Sequence, residues 1–133
     1  MKAMILAAVY GKRLAPITDT IPKPLIKVGN MPLIDRNINY LVRNGFYEII
    51  INVSHHADQI INHVNETFSE LNILFSKENR PLGTGGGIFN ALDKIGEDPF
   101  LLINADILHQ IDLKNLPKEV KAAHLVGINN PDH

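Results

Sequence analysis

Short apolar runs alternate with stretches of helical periodicity along this chain, and this alternation restricts the fold more than any other feature. An unbroken apolar run of about five residues predicts a strand buried on both faces, as in a parallel sheet. Apolar residues at helical spacing predict amphipathic helices between the strands. The predicted strands are residues 4–8, 48–53, 72–76, 99–104 and 124–128, and the predicted helices are residues 33–42, 60–68 and 88–95, with a weakly helical stretch over 113–122.

Strands that alternate with helices predict right-handed crossovers, and therefore a three-layer α/β/α domain with a mostly parallel sheet. The 133 residues suit one domain, covering residues 1–133. The last predicted strand is followed by only a few residues, so we expect a sheet that is shortened at its C-terminal side. Apolar surface left open by such a sheet would favour self-association.

Composition removes several function classes. Lys and Arg total 13 and Asp and Glu total 14, so the formal net charge is −1. Nucleic-acid-binding proteins usually have an excess of basic residues, so we expect no nucleic-acid partner. The absence of Cys excludes disulfides, thiolate metal sites and Cys nucleophiles. No apolar run is long enough to span a bilayer, so we expect no membrane partner and a cytoplasmic location.

The residues that could bind a ligand follow the predicted strands, where open α/β sheets hold their ligands. After the first strand, Gly11 allows backbone N–H groups to approach phosphate oxygens, and Lys12 and Arg13 add positive charge. An ordinary surface turn with two solvated bases explains the same residues equally well. The segment matches neither the dinucleotide G-x-G-x-x-G pattern nor the G-x-x-x-x-G-K-[ST] phosphate loop, so both are excluded.

Two further segments have the composition of ligand-binding loops. Lys23 lies between Pro22 and Pro24, which stiffen the backbone and would preorganise its charge for a bound anion. The alternative is a rigid loop with an exposed Lys. Residues 83–87 contain four glycines and are expected to form a loop that approaches a flat or charged ligand closely, or alternatively a flexible turn.

Asp106 ends an apolar strand, and a carboxylate at that place suits Mg²⁺ bound to substrate phosphates. A helix cap or turn residue is the alternative for an isolated Asp. The six His residues form no metal-binding pattern, and His55 and His56 are expected to be surface or hydrogen-bonded polar residues, with a smaller chance of lining the site.

Taken together, the segments resemble the sugar-1-phosphate nucleotidyltransferases. That family opens with L-A-A-G-x-G-x-R-L-x-P-L-T, then P-K-P-L, then V-x-x-x-P-L-I, where this chain has LAAVYGKRLAPIT over residues 6–18, PKPL over 22–25 and VGNMPLI over 28–34. Residues 82–86 are similar to the family's L-G-T-A-G, and residues 104–106 to its N-x-D strand end. Within the family, residues 52–56 and 129–133 look most like the N-acetylmuramate-1-phosphate uridylyltransferase branch, with the mannose-1-phosphate guanylyltransferases next.

The resemblance implies a Rossmann-like fold of the nucleotide-diphospho-sugar transferase type, and an enzyme that joins an NTP (UTP or GTP) to a sugar 1-phosphate. The products would be a nucleotide sugar and pyrophosphate, with Mg²⁺ as cofactor. It also implies that Arg13 and Lys23 are catalytic, with Arg13 on the departing pyrophosphate and Lys23 on the phosphates around the attacked phosphorus, and that Asp106 binds the metal. The implied nucleotide-binding residues are Ala7, Ala8, Gly11, Lys12, Arg13, Lys23, Gly83, Thr84 and Asn79, with Glu78 as the alternative to Asn79.

The chain departs from the family pattern in two places. Val9 stands where the family has its first loop glycine, so we expect it to restrict the turn and crowd the phosphates; extending the buried strand is the alternative role. The family also continues into sugar-binding residues and a second metal carboxylate. The alternative function is therefore a truncated, non-catalytic nucleotide- or sugar-phosphate-binding module.

Overall fold

The structure is a computed structural model that describes residues 1–127. In chain order the elements are β1 (Lys2–Leu6), α1 (Ile17–Thr20), β2 (Lys27–Val28), β3 (Met31–Pro32), α2 (Leu33–Arg43), β4 (Glu48–Val53), α3 (Ala57–Thr67), β5 (Asn72–Lys77), α4 (Gly83–Asn90), α5 (Leu92–Ile95) and β6 (Phe100–Asn104). Short 3-10 turns lie at Lys12–Leu14, Lys23–Leu25 and Leu113–Asn115.

A four-stranded parallel sheet with the order β5-β4-β1-β6 forms the centre of the molecule. From β1 the chain builds outward through β4 to β5, and then returns to the other side of β1 with β6. The carboxyl ends of β1 and β6 therefore lie side by side at the sheet edge where open α/β sheets hold their ligands, and this place is called the crevice below. The prediction of a mostly parallel sheet is confirmed.

Helices cover the sheet on both faces, which confirms the three-layer prediction. On one face, Ile5 and Ile51 of the sheet pack with Ile38 of α2 and with α3. On the other face, Met4 packs with the segment that joins α4 to α5 and with α5 itself. Neighbouring residues of β1, β4 and β6 thus point into different cores, which is why these three strands are apolar runs.

The glycine-rich segment differs from the prediction, because residues 83–87 are the first turns of α4 and do not form a loop. Close packing explains the glycine at position 87: a Cβ atom there would lie 2.6 Å from Asn52 Nδ2 and 2.9 Å from Glu78 Oε1. Glycine is required there by the neighbours of the helix, although it is a poor helix former. The predicted helix over 88–95 is also divided, since α4 ends at Asn90 and α5 begins at Leu92.

The predictions for the region after β6 are wrong in the described part. The weakly helical stretch predicted over 113–122 is reduced to the 3-10 turn Leu113–Asn115, and Pro117 disfavours helical backbone in the residue before it. The predicted strand over 124–128 is absent from residues 124–127, and residue 128 lies outside the described residues. A strand needs a paired neighbour and a buried face, and Leu125 is 88% exposed.

The predictions also missed the short helix α1 and the two-residue strands β2 and β3, which lie in the long connection between β1 and α2. Within the described residues, every helix is too short or too polar to cross a membrane.

We expect Gly87→Ala to lower the free energy of unfolding by about 1–3 kcal/mol, because the added methyl group overpacks a buried polar contact. Gly85→Ala is the matched control, since Gly85 is exposed on the same helix and a Cβ atom there has nothing within 4 Å. The control should raise the free energy of unfolding by about 0.5–1 kcal/mol. Urea denaturation measures both values, and equal effects of the two substitutions would show that close packing does not explain the glycine.

Candidate functional site

The loop after β1 is held against the Pro-Lys-Pro segment by Gly11. Gly11 has a left-handed backbone, with φ at +64°, and a Cβ atom there would lie 2.9 Å from Thr18 Cγ2 and 3.2 Å from Lys23 Cβ. Thr18 Oγ1 donates a hydrogen bond to the Gly11 carbonyl at 3.1 Å. Only glycine meets both the conformational and the steric requirement, so the loop after β1 is kept beside Lys23.

Lys12 and Arg13 lie in the 3-10 turn that follows Gly11, and both are exposed to solvent. Lys12 Nζ lies 5.8 Å from the ring centroid of Tyr10. Tyr10 in turn stacks on His55, with ring centroids 4.6 Å apart. The two positive side chains are therefore accessible to an anionic ligand.

Lys23 and Asp106 form an ion pair across the crevice, although the sequence assigned them separate roles. Lys23 begins a 3-10 turn on the connection after β1, and Asp106 lies just beyond the end of β6. Their side chains are 19% and 25% exposed. The alternative of an exposed Lys on a rigid loop is thus wrong, because the crevice half-buries the side chain against its carboxylate partner.

A second polar cluster at the same sheet edge was missed by the sequence analysis. Asn52, near the end of β4, accepts a hydrogen bond from the Ala7 N–H at 2.7 Å and a longer one from the Ala8 N–H at 3.4 Å. Its side-chain amide donates to Glu78 Oε1 at 2.7 Å, and Glu78 Oε2 accepts from the Leu82 N–H at 2.8 Å. The available signal was an Asn inside the apolar run 49–53.

This cluster affects three of the candidate residues. The N–H groups of Ala7 and Ala8 already donate to Asn52, so a ligand would contact these residues through other atoms. Glu78 is 3% exposed, whereas Asn79 is exposed. Of these two alternatives, Asn79 is the one that a ligand can reach.

Gly83 and Thr84 form the exposed first turn of α4. They follow Leu82, whose N–H donates to Glu78. Gly83 has a φ of +73°, and a Cβ atom there would have nothing within 4 Å. The segment is thus open to a ligand approaching along the carboxyl edge of the sheet. Whether these residues contact a nucleotide base stays a prediction.

Val9 follows the end of β1, and His55 and His56 follow the end of β4. Val9 is half-buried, its N–H donates to the Ala7 carbonyl at 2.9 Å, and its φ is not left-handed. The backbone at Val9 is therefore not strained, so the structure gives no support to the expectation that Val9 restricts the turn. His56 has a φ of +52° and its Nε2 lies 3.0 Å from the carbonyl oxygen of Asp19. In residues 1–127, His, Asp and Glu side chains form no cluster of three that could hold a metal ion by themselves.

The fold matches that of enzymes that transfer nucleotides. The chain belongs to the nucleotidyl transferase family, whose pattern matches residues 2–128. It is 42% identical to N-acetylmuramate alpha-1-phosphate uridylyltransferase of Neisseria meningitidis, over 100% of this chain and 61% of that protein. It is 36% identical to mannose-1-phosphate guanyltransferase of Saccharomyces cerevisiae, over 92% of this chain and 35% of that protein. The chain thus spans less than two thirds of the length of these relatives.

Solved structures agree with the family assignment. HddC from Yersinia pseudotuberculosis, in complex with GMP-PN, superimposes with a TM-score of 0.74 at 37% identity, covering 85% of this chain and 51% of that one. UDP-glucose pyrophosphorylase from Acinetobacter baumanii has a TM-score of 0.69 at 22% identity, covering 79% of this chain and 45% of that one, and supports the fold alone. The predicted fold class and family are confirmed.

We expect Lys23→Met to lower the free energy of unfolding by about 1–2 kcal/mol, because it leaves the half-buried carboxylate of Asp106 without its partner. The double variant Lys23→Met with Asp106→Asn should recover part of this loss, since no unpaired charge remains. Arg13→Ala is the control and should change stability by no more than about 0.5 kcal/mol, because Arg13 is exposed. Urea denaturation of the parent, Lys23→Met, Asp106→Asn and the double variant gives the coupling energy, and strictly additive effects would show that the pair does not contribute.

Proposed function

We propose that this chain binds a nucleoside triphosphate in the crevice between β1 and β6, and that it carries out nucleotidyl transfer to a sugar 1-phosphate. The observation that carries the proposal is the meeting of Lys23 and Asp106 at the carboxyl ends of the two strands. They offer a cation for phosphate oxygens and a carboxylate for a phosphate-bound metal at one point. The exposed Lys12 and Arg13 extend the positive charge along the loop that adjoins this point.

In the proposed reaction, a phosphate oxygen of the sugar 1-phosphate attacks the α-phosphorus of the nucleotide in line. A new P–O bond forms there, the bond between the α-phosphorus and the bridging oxygen breaks, and pyrophosphate leaves. Lys23 would stabilise negative charge around the attacked phosphorus, and Arg13 would hold the departing pyrophosphate through a bidentate fork. Positioning and electrostatic stabilisation supply most of the rate in this chemistry.

The residues present fit Mg²⁺ only as an ion that arrives with the nucleotide. Within the described part of the chain, Asp106 offers one carboxylate at this point without a cluster of further ligands. A single carboxylate is nevertheless sufficient when substrate phosphates and water complete the octahedron. Mg²⁺ when bound would neutralise phosphate charge and orient the leaving group. Lys23 pairs with Oδ2 of Asp106, so the other carboxylate oxygen would be available to the ion.

For the particular substrates, we propose UTP and N-acetylmuramate 1-phosphate. The support is the 42% identity to the Neisseria uridylyltransferase, which extends over the whole of this chain. GTP and mannose 1-phosphate are the second choice, supported by the 36% identity to the yeast guanyltransferase and by the GMP-PN complex of HddC. A nucleoside triphosphate substrate agrees with a cytoplasmic location, which we also propose.

A second candidate function is a nucleotide- or sugar-phosphate-binding module without catalysis. This function is favoured because, among residues 1–127, Asp106 is not joined by further side chains in a cluster that could hold a metal ion. The two functions differ in one measurement, which is pyrophosphate release from UTP or GTP in the presence of each sugar 1-phosphate. Binding without release of pyrophosphate would favour the module.

We expect isothermal titration calorimetry to detect UTP or GTP binding that is tighter with Mg²⁺ than with EDTA. Asp106→Asn should remove this dependence on Mg²⁺, and the parent should bind negligible Mg²⁺ when no nucleotide is present.

Arg13→Ala should weaken nucleotide affinity by about 1.5–3 kcal/mol, the contribution of a charged hydrogen bond. Arg43→Ala is the matched control, because Arg43 is an exposed arginine that precedes β4 and so belongs to the opposite edge of the sheet. Unchanged affinity in both Asp106→Asn and Arg13→Ala would contradict the proposed site.

We expect Val9→Gly to raise nucleotide affinity and to lower the free energy of unfolding, because it removes crowding near the phosphates together with half-buried apolar surface. Val9→Ala separates the two contributions, since it removes the branched methyl groups without adding backbone freedom. If crowding is the cause, both variants should bind UTP more tightly than the parent in parallel titrations. Lower stability without any gain in affinity would assign Val9 to the core.

A further inference from the structure

A chain of hydrogen bonds joins the two parts of the proposed nucleotide site. It begins at the Ala7 N–H, which donates to Asn52 Oδ1 at 2.7 Å. It continues from Asn52 Nδ2 to Glu78 Oε1 at 2.7 Å, and ends with the Leu82 N–H, which donates to Glu78 Oε2 at 2.8 Å. The loop after β1, whose Lys12 and Arg13 are proposed to meet the phosphates, is thereby connected to the start of α4, where Gly83 and Thr84 are expected to contact the base.

The direction of every bond in this chain is determined. Because Asn52 Oδ1 accepts from a backbone N–H, the amide NH₂ group of Asn52 must face Glu78. Both oxygens of Glu78 therefore face donors, and both must accept. Asn52 is 2% exposed and Glu78 is 3% exposed, so solvent does not replace either partner.

The helix above the pair leaves no space for another arrangement. A Cβ atom on Gly87 would lie 2.6 Å from Asn52 Nδ2 and 2.9 Å from Glu78 Oε1, so the helix backbone covers both groups. Glu78 is also tied to the end of β4 by its own N–H, which donates to the Val53 carbonyl at 2.8 Å. The distance between the loop after β1 and the start of α4 is therefore set by these two side chains.

We propose that Asn52 and Glu78 are positioning residues, which hold the triphosphate-binding loop and the base-binding turn of α4 at the separation that one nucleotide spans. This inference rests on the proposed function. It predicts that disturbing the pair weakens binding of a ligand that contacts both parts more than binding of a ligand that contacts the loop alone. A nucleoside triphosphate is the first kind of ligand, and inorganic tripolyphosphate is the second.

The direction of the bonds supplies a decisive set of variants. Glu78→Gln places an NH₂ group against one of two donors, and Asn52→Asp places two carboxylate oxygens against each other. In the double variant, the new aspartate accepts from the Ala7 N–H and from the new glutamine NH₂ group, while the glutamine oxygen accepts from the Leu82 N–H. The double variant thus restores every hydrogen bond, with the negative charge moved from position 78 to position 52.

We expect each single variant to bind UTP with Mg²⁺ about tenfold more weakly than the parent, which corresponds to about 1.4 kcal/mol. Tripolyphosphate affinity should change by less than about threefold, and the double variant should return to within about threefold of the parent for both ligands. Ser76→Ala is the matched control: Ser76 is 2% exposed, lies beside Asn52 in the sheet and also links β5 to α4, but its hydrogen bonds go to Asn90 at the C-terminal end of α4 and not to its start. It should lower stability and leave both affinities unchanged.

The outcomes separate this inference from the function on which it rests. If the parent binds neither UTP nor GTP, the proposed function and the inference both fail. If the parent binds UTP and the single variants bind it equally well, or lose UTP and tripolyphosphate affinity to the same extent, the pair is merely structural while the proposed function stands. Where a single variant fails to fold by circular dichroism, the double variant decides, since a ratio of UTP to tripolyphosphate affinity unlike that of the parent contradicts the inference.

Discussion

The side-chain amide of Asn52 is the group on which the arrangement of the crevice depends. It meets the end of β1 on one side and Glu78 on the other, and it is almost fully buried. A buried donor or acceptor that loses its partner costs about 1–3 kcal/mol, so every neighbour of this amide is constrained. Glu78 must accept, the Leu82 N–H must donate, and Gly87 must have no side chain. One polar residue in an apolar strand thereby determines the residue types at positions distant from it in sequence.

The elements that could be predicted from the sequence are those whose pattern is caused by burial. β1, β4 and β6 are apolar runs because each strand faces a core on both sides of the sheet, and that cause acts within the run itself. Residues 83–87 could not be predicted as helix, because glycine costs about 1 kcal/mol per residue in a helix, whereas the compensating fit of Gly87 involves Asn52 of β4 and Glu78, which follows β5. Leu125 shows the opposite failure: a locally suitable strand pattern found no sheet edge and stayed exposed.

The position of the candidate residues along the carboxyl edge of the sheet could be predicted from the sequence, whereas their contacts could be predicted only in part. Arg13, Lys23 and Asp106 each follow a strand or lie on the connection after one, and the carboxyl edge of a parallel sheet collects such residues. That Lys23 meets Asp106 could not be derived, because the two are 83 positions apart and their meeting depends on β6 returning to the side of β1. Asn52 was overlooked because a single polar residue in a strand looks like a minor interruption of the apolar pattern.

Burial divides the charged groups of the crevice into a fixed part and an exchangeable part. Glu78, at 3% exposure, accepts from an amide and a backbone N–H that are covalently part of neighbouring elements and cannot leave. Lys23 and Asp106, with side chains 19% and 25% exposed, are satisfied by each other and by solvent. Breaking the hydrogen bonds to Glu78 would leave a buried charge without partners. Opening the ion pair costs little once phosphate and metal replace the two partners. The fold thus keeps rigid the groups that set the geometry and leaves accessible the groups that would act on a ligand.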